Sequence, residues 1–190
     1  MKISKPSLRA AASAAALLKK GGVIICPTDT VYGFLADASN KKAVDKIYSI
    51  KKRPKSKPLS LFVANVKMAG EIAQIDARQA KMLKKFWPGK VTAILKRKPG
   101  VILYGLKKDS VAIRIPSHSF LLKLLNKVNI PLVQTSVNIS TEEPLNSIEP
   151  ISDTFAKNRL VGLIIDGGSI KNAKPSKIVD LTGKKLTRLR

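Results

Sequence analysis

The sequence predicts an α/β fold, a twisted mixed sheet flanked by helices, and three observations carry that reading. Short runs rich in Val and Ile, each bounded by turn residues, recur near 23–27, 59–64, 91–96, 111–115, 131–135, 161–165 and 177–181. Apolar residues at helical spacing fill the gaps between them. The apolar fraction is 44% over 190 residues, enough for one sizeable core, and no linker or fixed-period repeat divides the chain. Residues 1–190 read as one domain.

The elements follow in order. MKISKPSLRAAASAAALLKKGG sets a basic leader before an apolar stretch, as a signal peptide does. Lys19, Lys20, Gly21 and Gly22 follow directly, however, and Leu8, Ala11, Ala15 and Leu18 sit at helical spacing, so the segment reads as a first helix closed by glycine. The strand at 23–27 comes next. Asn40 precedes a helix whose Ala43, Val44, Ile47 and Ile50 share one face. Asp76 is placed to cap a helix carrying Ala80 and Leu83, and Ser117 one carrying Leu121, Leu124 and Leu125. The closing PSKIVDLTGKKLTRLR reads as a strand, a Thr-Gly turn and a short second strand. No stretch approaches the roughly 20 apolar residues of a membrane span.

Lys and Arg number 36 against 12 Asp and Glu, a formal charge of +24. Such an excess repels itself unless polyanions are near, which points to nucleic acid, nucleotide phosphates or an anionic membrane surface. A run of charge is nevertheless more often a solvated face than a site. Cys26 stands alone, so an intrachain disulfide is excluded and a reducing cytoplasm is the simplest setting. With one Cys and one His, a zinc site would need an unusual carboxylate-rich ligand set.

Three stretches carry chemistry. KKRPKSKPLSL, residues 51–61, crowds Lys51, Lys52, Arg53, Lys55 and Lys57 beside an apolar strand. There is no G-x-x-x-x-G-K-[ST] or G-x-G-x-x-G loop, so phosphate binding here would fall to side chains, and Arg offers a planar fork. On density alone, helix-dipole compensation worth about 0.3 to 1 kcal/mol per cation explains the run slightly better. CPTDTVYGF, residues 26–34, shifts the balance, since it packs Thr28, Asp29, Thr30 and Tyr32 at a strand's carboxyl end, where α/β sheets place ligands. VQTSVNIS, residues 133–140, ends a strand with Ser136, Asn138 and Ser140 on one side.

Together with FWPGKVT at 86–92, VAIRIPSH at 111–118 and PSKIVDLTG at 175–183, these stretches resemble the YrdC-like threonylcarbamoyl-AMP synthase family. Six motifs fall in family order from about residue 20 to the end, a specific pattern. The resemblance implies a YrdC-like sheet with a basic concave surface. It also implies synthesis of threonylcarbamoyl-AMP from L-threonine, bicarbonate and ATP with Mg2+, releasing pyrophosphate, for modification of tRNA. By family position Lys51, Arg53 and Lys57 face the ATP phosphates, and Lys51 and Arg53 are the catalytic cations. Thr30, Phe62, Arg114, Ser136 and Ser176 match the threonine and carbamoyl site, while Ser110, Asn138 and Arg190 match places near the nucleotide. Arg114 is the expected clamp for the substrate carboxylate. His118 is expected to be structural rather than a base.

Three residues depart from the family pattern. Thr141 stands in place of a glycine, Phe62 in place of a frequent His, and Lys177 in place of Thr. The chain ends at Arg190 and looks like the short form, whose product would pass to a separate transferase complex. Two rivals remain. One is a non-catalytic module holding RNA or tRNA through the same basic concavity. The other is a carbamoyl-phosphate-using domain like those of hydrogenase maturation proteins, which length disfavours.

Overall fold

The glycine pair after the first apolar segment fixes how the chain enters its sheet. In the computed structural model, which describes residues 2–183 and 185–190, strand β1 (Lys2–Ser4) leads into helix α1 (Leu8–Lys19). Ser7 caps α1, its hydroxyl accepting from the Ala10 amide at 3.1 Å. Gly21 ends it at φ +74°, with Gly21 N donating to Leu18 O and Gly22 N to Leu17 O, both at 2.9 Å. That pair of bonds is a Schellman closure, and a Cβ on Gly21 would sit 2.7 Å from the Asn40 side chain. The buried face of α1 is Ala10, Ala11, Ala14, Ala15 and Leu18, small enough for close packing on helix α5 and the sheet.

Strands β2 (Val23–Cys26) and β3 (Gly33–Asp37) are buried at every residue. Helix α2 (Lys41–Lys51) follows, capped by Asn40, whose Oδ1 accepts from Ala43 N at 3.0 Å. Next come β4 (Ser60–Phe62), α3 (Val66–Ile72), α4 (Ala77–Phe86), β5 (Val91–Lys96) and β6 (Ser110–Arg114). The remainder is α5 (Ser119–Val128), β7 (Leu132–Ser136), α6 (Ile148–Phe155), β8 (Val161–Ile165), β9 (Lys177–Asp180) and β10 (Thr187–Arg188). Among the described residues one ten-stranded sheet has the order β1-β8-β2-β3-β7-β4-β6-β5-β9-β10. Its pairings mix parallel (β8 with β2, β4 with β6, β5 with β9) and antiparallel (β2 with β3, β3 with β7, β7 with β4, β6 with β5).

All seven expected strands form, each within about two residues of its expected limits. The expected terminal hairpin also forms, as β9 and β10, although Lys184 in its turn lies outside the described residues. Four elements carry too little local signal to stand out in the sequence. β1 is three residues long, and β3 (GFLAD) opens on glycine and lacks a β-branched residue. α3 spans seven residues and includes Gly70, while α6 contains Pro150 and has no side-chain cap. Tertiary packing holds α6, whose Phe155 meets Phe34 of β3 edge-on at 5.1 Å between ring centroids.

Asp76 caps α4 as expected and forms a reciprocal capping box with Gln79. The α5 cap moves by one residue: His118, not Ser117, accepts from Leu121 N, through Nδ1 at 3.3 Å. Ser117 is held elsewhere, its amide and hydroxyl both donating to Asp29.

The His118 cap makes stability depend on pH. Only the neutral ring leaves Nδ1 able to accept a hydrogen bond. Burial lowers the His118 pKa from its ordinary 6.5, with Asp29 acting weakly in the opposite sense. On acidification the unfolded chain therefore takes up its proton before the folded one, and stability falls as pH drops through 6.5. His118 is the one histidine, so unfolding by urea is expected to show this loss setting in as pH falls through 6.5. His118→Asn, which caps without titrating, should flatten the slope; an unchanged slope contradicts the assignment.

Candidate functional site

Alternation along the central strands turns polar side chains to one face, and they floor a cleft of about 440 Å³. Ser60 of β4 pairs in register with Gln134 of β7, Ala112 of β6 with Ile94 of β5, and Thr92 of β5 with Ile178 of β9, and all six line it. The loops around this floor add Thr30, Arg53, Lys107 and Arg190. Its charged side chains are Arg53, Lys107, Arg114 and Arg190, with no Asp or Glu among the described lining residues.

Arg114 ends β6 and is 2% exposed. Its guanidinium lies 5.2 Å from the centre of the Phe62 ring and forms an ion pair through Nη2 with Asp29. Nη1 donates to Thr30 Oγ1 at 3.0 Å, whereas Nε is buried without a partner. The second Asp29 oxygen accepts from Ser117 N at 3.2 Å and Ser117 Oγ at 2.9 Å. Thr28 gives its hydroxyl hydrogen to Val31 O at 2.7 Å, so Thr30 is the donor in the 3.0 Å contact between the two threonine hydroxyls. Arg114, Thr30 and Thr28 thus form one directed chain. Burial lowers the Arg114 pKa, and the charge and hydrogen bond of Asp29 oppose that shift.

The same turn is fixed from behind by Tyr32, whose hydroxyl donates to Gly168 O at 2.8 Å and accepts from Gly167 N at 2.9 Å. Burial foremost pushes Tyr32 up to about 12. Across the cleft, Thr92 and Ser176 share a 2.8 Å hydroxyl contact. Arg190 Nε donates to Ser176 O at 3.0 Å, and Arg190 O accepts from Ile178 N, so the chain end lies back along β9.

The basic run near residue 51 divides into separate tasks. Lys51 is 1% exposed, and its ammonium donates to Ser136 O (2.7 Å), Asn138 O (2.9 Å) and Asn138 Oδ1 (2.7 Å). Burial and then the charge of Arg53 push Lys51 down to about 8, yet only the ammonium has three hydrogens for its three acceptors. Lys55 pairs with Asp45 at 2.7 Å. Arg53 lines the cleft, with Nε held by Lys57 O (3.2 Å) and Nη2 by Pro58 O (3.0 Å).

Of the residues named from sequence, Thr30, Arg53, Arg114, Ser136, Ser176 and Arg190 come together around the cleft. Lys51, Lys57, Phe62, Ser110 and Asn138 are not part of its lining. Lys51 differs most from expectation, since its charge is turned inward to the Ser136–Asn138 segment. Asn138 is engaged with Lys51, Ser136 and Glu142, and Phe62 is buried beneath the guanidinium. Sequence reasoning assigned no role to Asp29, Thr92 or Lys107. Asp29 and Thr92 sit inside quoted motifs, but Lys107 lies in one of six Lys-Lys pairs in this chain.

The model of the Sua5_yciO_yrdC family, described as telomere recombination, matches residues 16–190. A threonylcarbamoyl-AMP synthase of Pyrococcus abyssi is 35% identical over 173 residues, 89% of this chain and 50% of its own length. A threonylcarbamoyl-AMP synthase of Psychromonas ingrahamii is 32% identical over 175 residues, 90% of this chain and 92% of its own. The crystal structure of P. abyssi Sua5 complexed with L-threonine superposes with a TM-score of 0.87 at 32% identity, over all of this chain and 56% of that one. The chain therefore spans about half of the Pyrococcus protein and nearly all of the Psychromonas one.

Two substitutions test this geometry. Lys51→Met removes the ammonium from Ser136 O, Asn138 O and Asn138 Oδ1, of which Oδ1 keeps Ser136 Oγ as a donor, and urea unfolding is expected to show a loss of about 2 to 3 kcal/mol; stability within error of wild type contradicts the inward role. Thr141 sits at φ +82°, where a β-branched residue is strained. Thr141→Gly is expected to gain about 1 kcal/mol in the same measurement, and a loss contradicts that strain.

Proposed function

The chain belongs to the Sua5/YciO/YrdC family, and on that premise we propose that it makes L-threonylcarbamoyl-AMP from L-threonine, bicarbonate and ATP. The observation that carries the reading is the cleft itself, whose lining joins cations to neutral hydroxyls with no acidic side chain among the described residues. Arg114 bonded to Thr30 and Thr92 bonded to Ser176 are two polar pairs in one lining, a set suited to an amino-acid head group. Arg53 offers its free Nη1 to phosphate oxygens, and Arg190 flanks them from the chain end.

In the proposed reaction the neutral amine of threonine takes up bicarbonate as a carbamate, with loss of water. A carbamate oxygen then attacks the α-phosphorus in line, and pyrophosphate leaves. The protein forms no covalent bond; holding carbamate and nucleotide in register supplies roughly 7 to 11 kcal/mol. With no acidic side chain in the lining among the described residues, Mg2+ would enter as part of the nucleotide substrate. The product would serve a separate threonylcarbamoyl transferase complex acting on tRNA in the cytoplasm. The RNA-binding alternative is not favoured, since the relatives are named as synthases.

The test is pyrophosphate release from ATP, Mg2+ and bicarbonate with and without L-threonine. Release is expected to require threonine, and release indifferent to it overturns the reading. In the same assay Arg53→Ala is expected to lower kcat/KM at least tenfold, about 1.4 kcal/mol of transition-state stabilisation. A folded Arg53→Ala protein with full rate removes Arg53 from the site.

A further inference from the structure

Lys51 is turned inward and Lys57 is not part of the lining, which leaves the cleft with Arg53 alone of the three cations expected at the phosphates. One lysine from a different part of the chain stands there. Lys107 lines the cleft from the loop between β5 and β6, three residues ahead of Ser110, so it and Arg114 occupy opposite ends of β6.

That loop is built rather than draped. Arg97, the first residue after β5, sends its guanidinium into the loop: Nη1 donates to Lys107 O at 3.2 Å, and Nη2 donates to Leu103 O at 3.2 Å and to Val101 O. Its amide also donates to Asp109 O at 3.0 Å. Gly105 anchors the loop's middle, where its carbonyl accepts from Leu59 N at 2.7 Å and from the Tyr48 hydroxyl at 3.4 Å. Gly105 is at φ +73°, and a Cβ there would lie 2.9 Å from Val44, so only glycine lets the loop approach so closely. The Tyr48 hydroxyl also lies 3.2 Å from Lys57 O, the carbonyl that holds Arg53 Nε. The single hydroxyl hydrogen of Tyr48 is thus shared between a carbonyl of the Arg53 loop and one of the Lys107 loop.

We propose that Lys107 is a nucleotide ligand that contacts the β- and γ-phosphates, and that Arg97 is the positioning residue that holds it over the cleft. The proposal rests on the nucleotide occupying the cleft as in the function proposed above. A primary ammonium on a flexible stem suits a point contact with a terminal phosphate, while the planar fork of Arg53 suits the inner part of the chain. The three-carbonyl grip of Arg97 supplies what the exposed Lys107 lacks, a fixed origin for its side chain.

The test is calorimetric titration of wild type, Lys107→Gln, Arg97→Lys and the double variant with a non-hydrolysable ATP analogue and with AMP. Lys107→Gln is expected to weaken the analogue about tenfold and leave AMP unchanged, since AMP has no β- or γ-phosphate. Lys107→Arg should restore most of the loss. Arg97→Lys should weaken the analogue in the same selective way and add little in the double variant, a pattern that a general loss of stability does not produce. Equal weakening of both ligands, or of neither, overturns the proposal. Selective weakening in a protein that releases pyrophosphate without threonine would sustain Lys107 as a ligand while removing the synthase reading; wild type that binds neither nucleotide overturns both.

Discussion

A buried guanidinium needs a partner, and Arg114 has one in Asp29. Taking both charges out of water costs several kcal/mol per ion, and the pair persists because its geometry is completed by neighbours. Ser117 supplies two donors to the far carboxylate oxygen, Thr30 accepts from Nη1, and Phe62 lies under the cation. These contacts join the turn after β2, the end of β6 and the start of α5 into one block. The shift of the α5 cap to His118 follows directly, because Asp29 has already claimed Ser117.

The same logic sorts the cations between structure and site. Charge density in the run from Lys51 to Lys57 does not equal charge in the cleft. Lys51 holds the Ser136–Asn138 segment from within, Lys55 answers Asp45, and Arg53 reaches the cleft. Lys52 ends α2 in the left-handed region at φ +50°. With three acceptors around it, the Lys51 ammonium is committed to that segment. Arg53 keeps one face open because its own loop carbonyls satisfy only Nε and Nη2.

How far the sequence could be read follows from where each signal lies. Strand runs such as VIIC and VGLII announce themselves by β-branched residues, and Asn40 and Asp76 announce helix starts by capping chemistry. β3 stays silent because GFLAD opens on glycine and has no β-branched residue, and its burial comes from β2 and β7 at its edges and from α1 and α2 packed against it. In the site, residues inside dense motifs (Thr30, Arg114, Ser176) were legible, and six named residues meet at the cleft. Side-chain direction was not: no one-dimensional pattern distinguishes Lys51 pointing in from Arg53 pointing out. Lys107 was invisible for the opposite reason, since its position depends on Arg97 and Gly105 folding the loop between β5 and β6 back over the sheet.

In the proposed reaction one cleft receives both substrates, the amino acid at the Arg114 end and the triphosphate at the Arg53 end. A crystal structure with L-threonine and a non-hydrolysable ATP analogue is the decisive test. The threonine carboxylate is expected within hydrogen-bond reach of Arg114 and the phosphates against Arg53. A nucleotide bound away from the β4–β6 floor, with Arg53 facing only solvent, would contradict it.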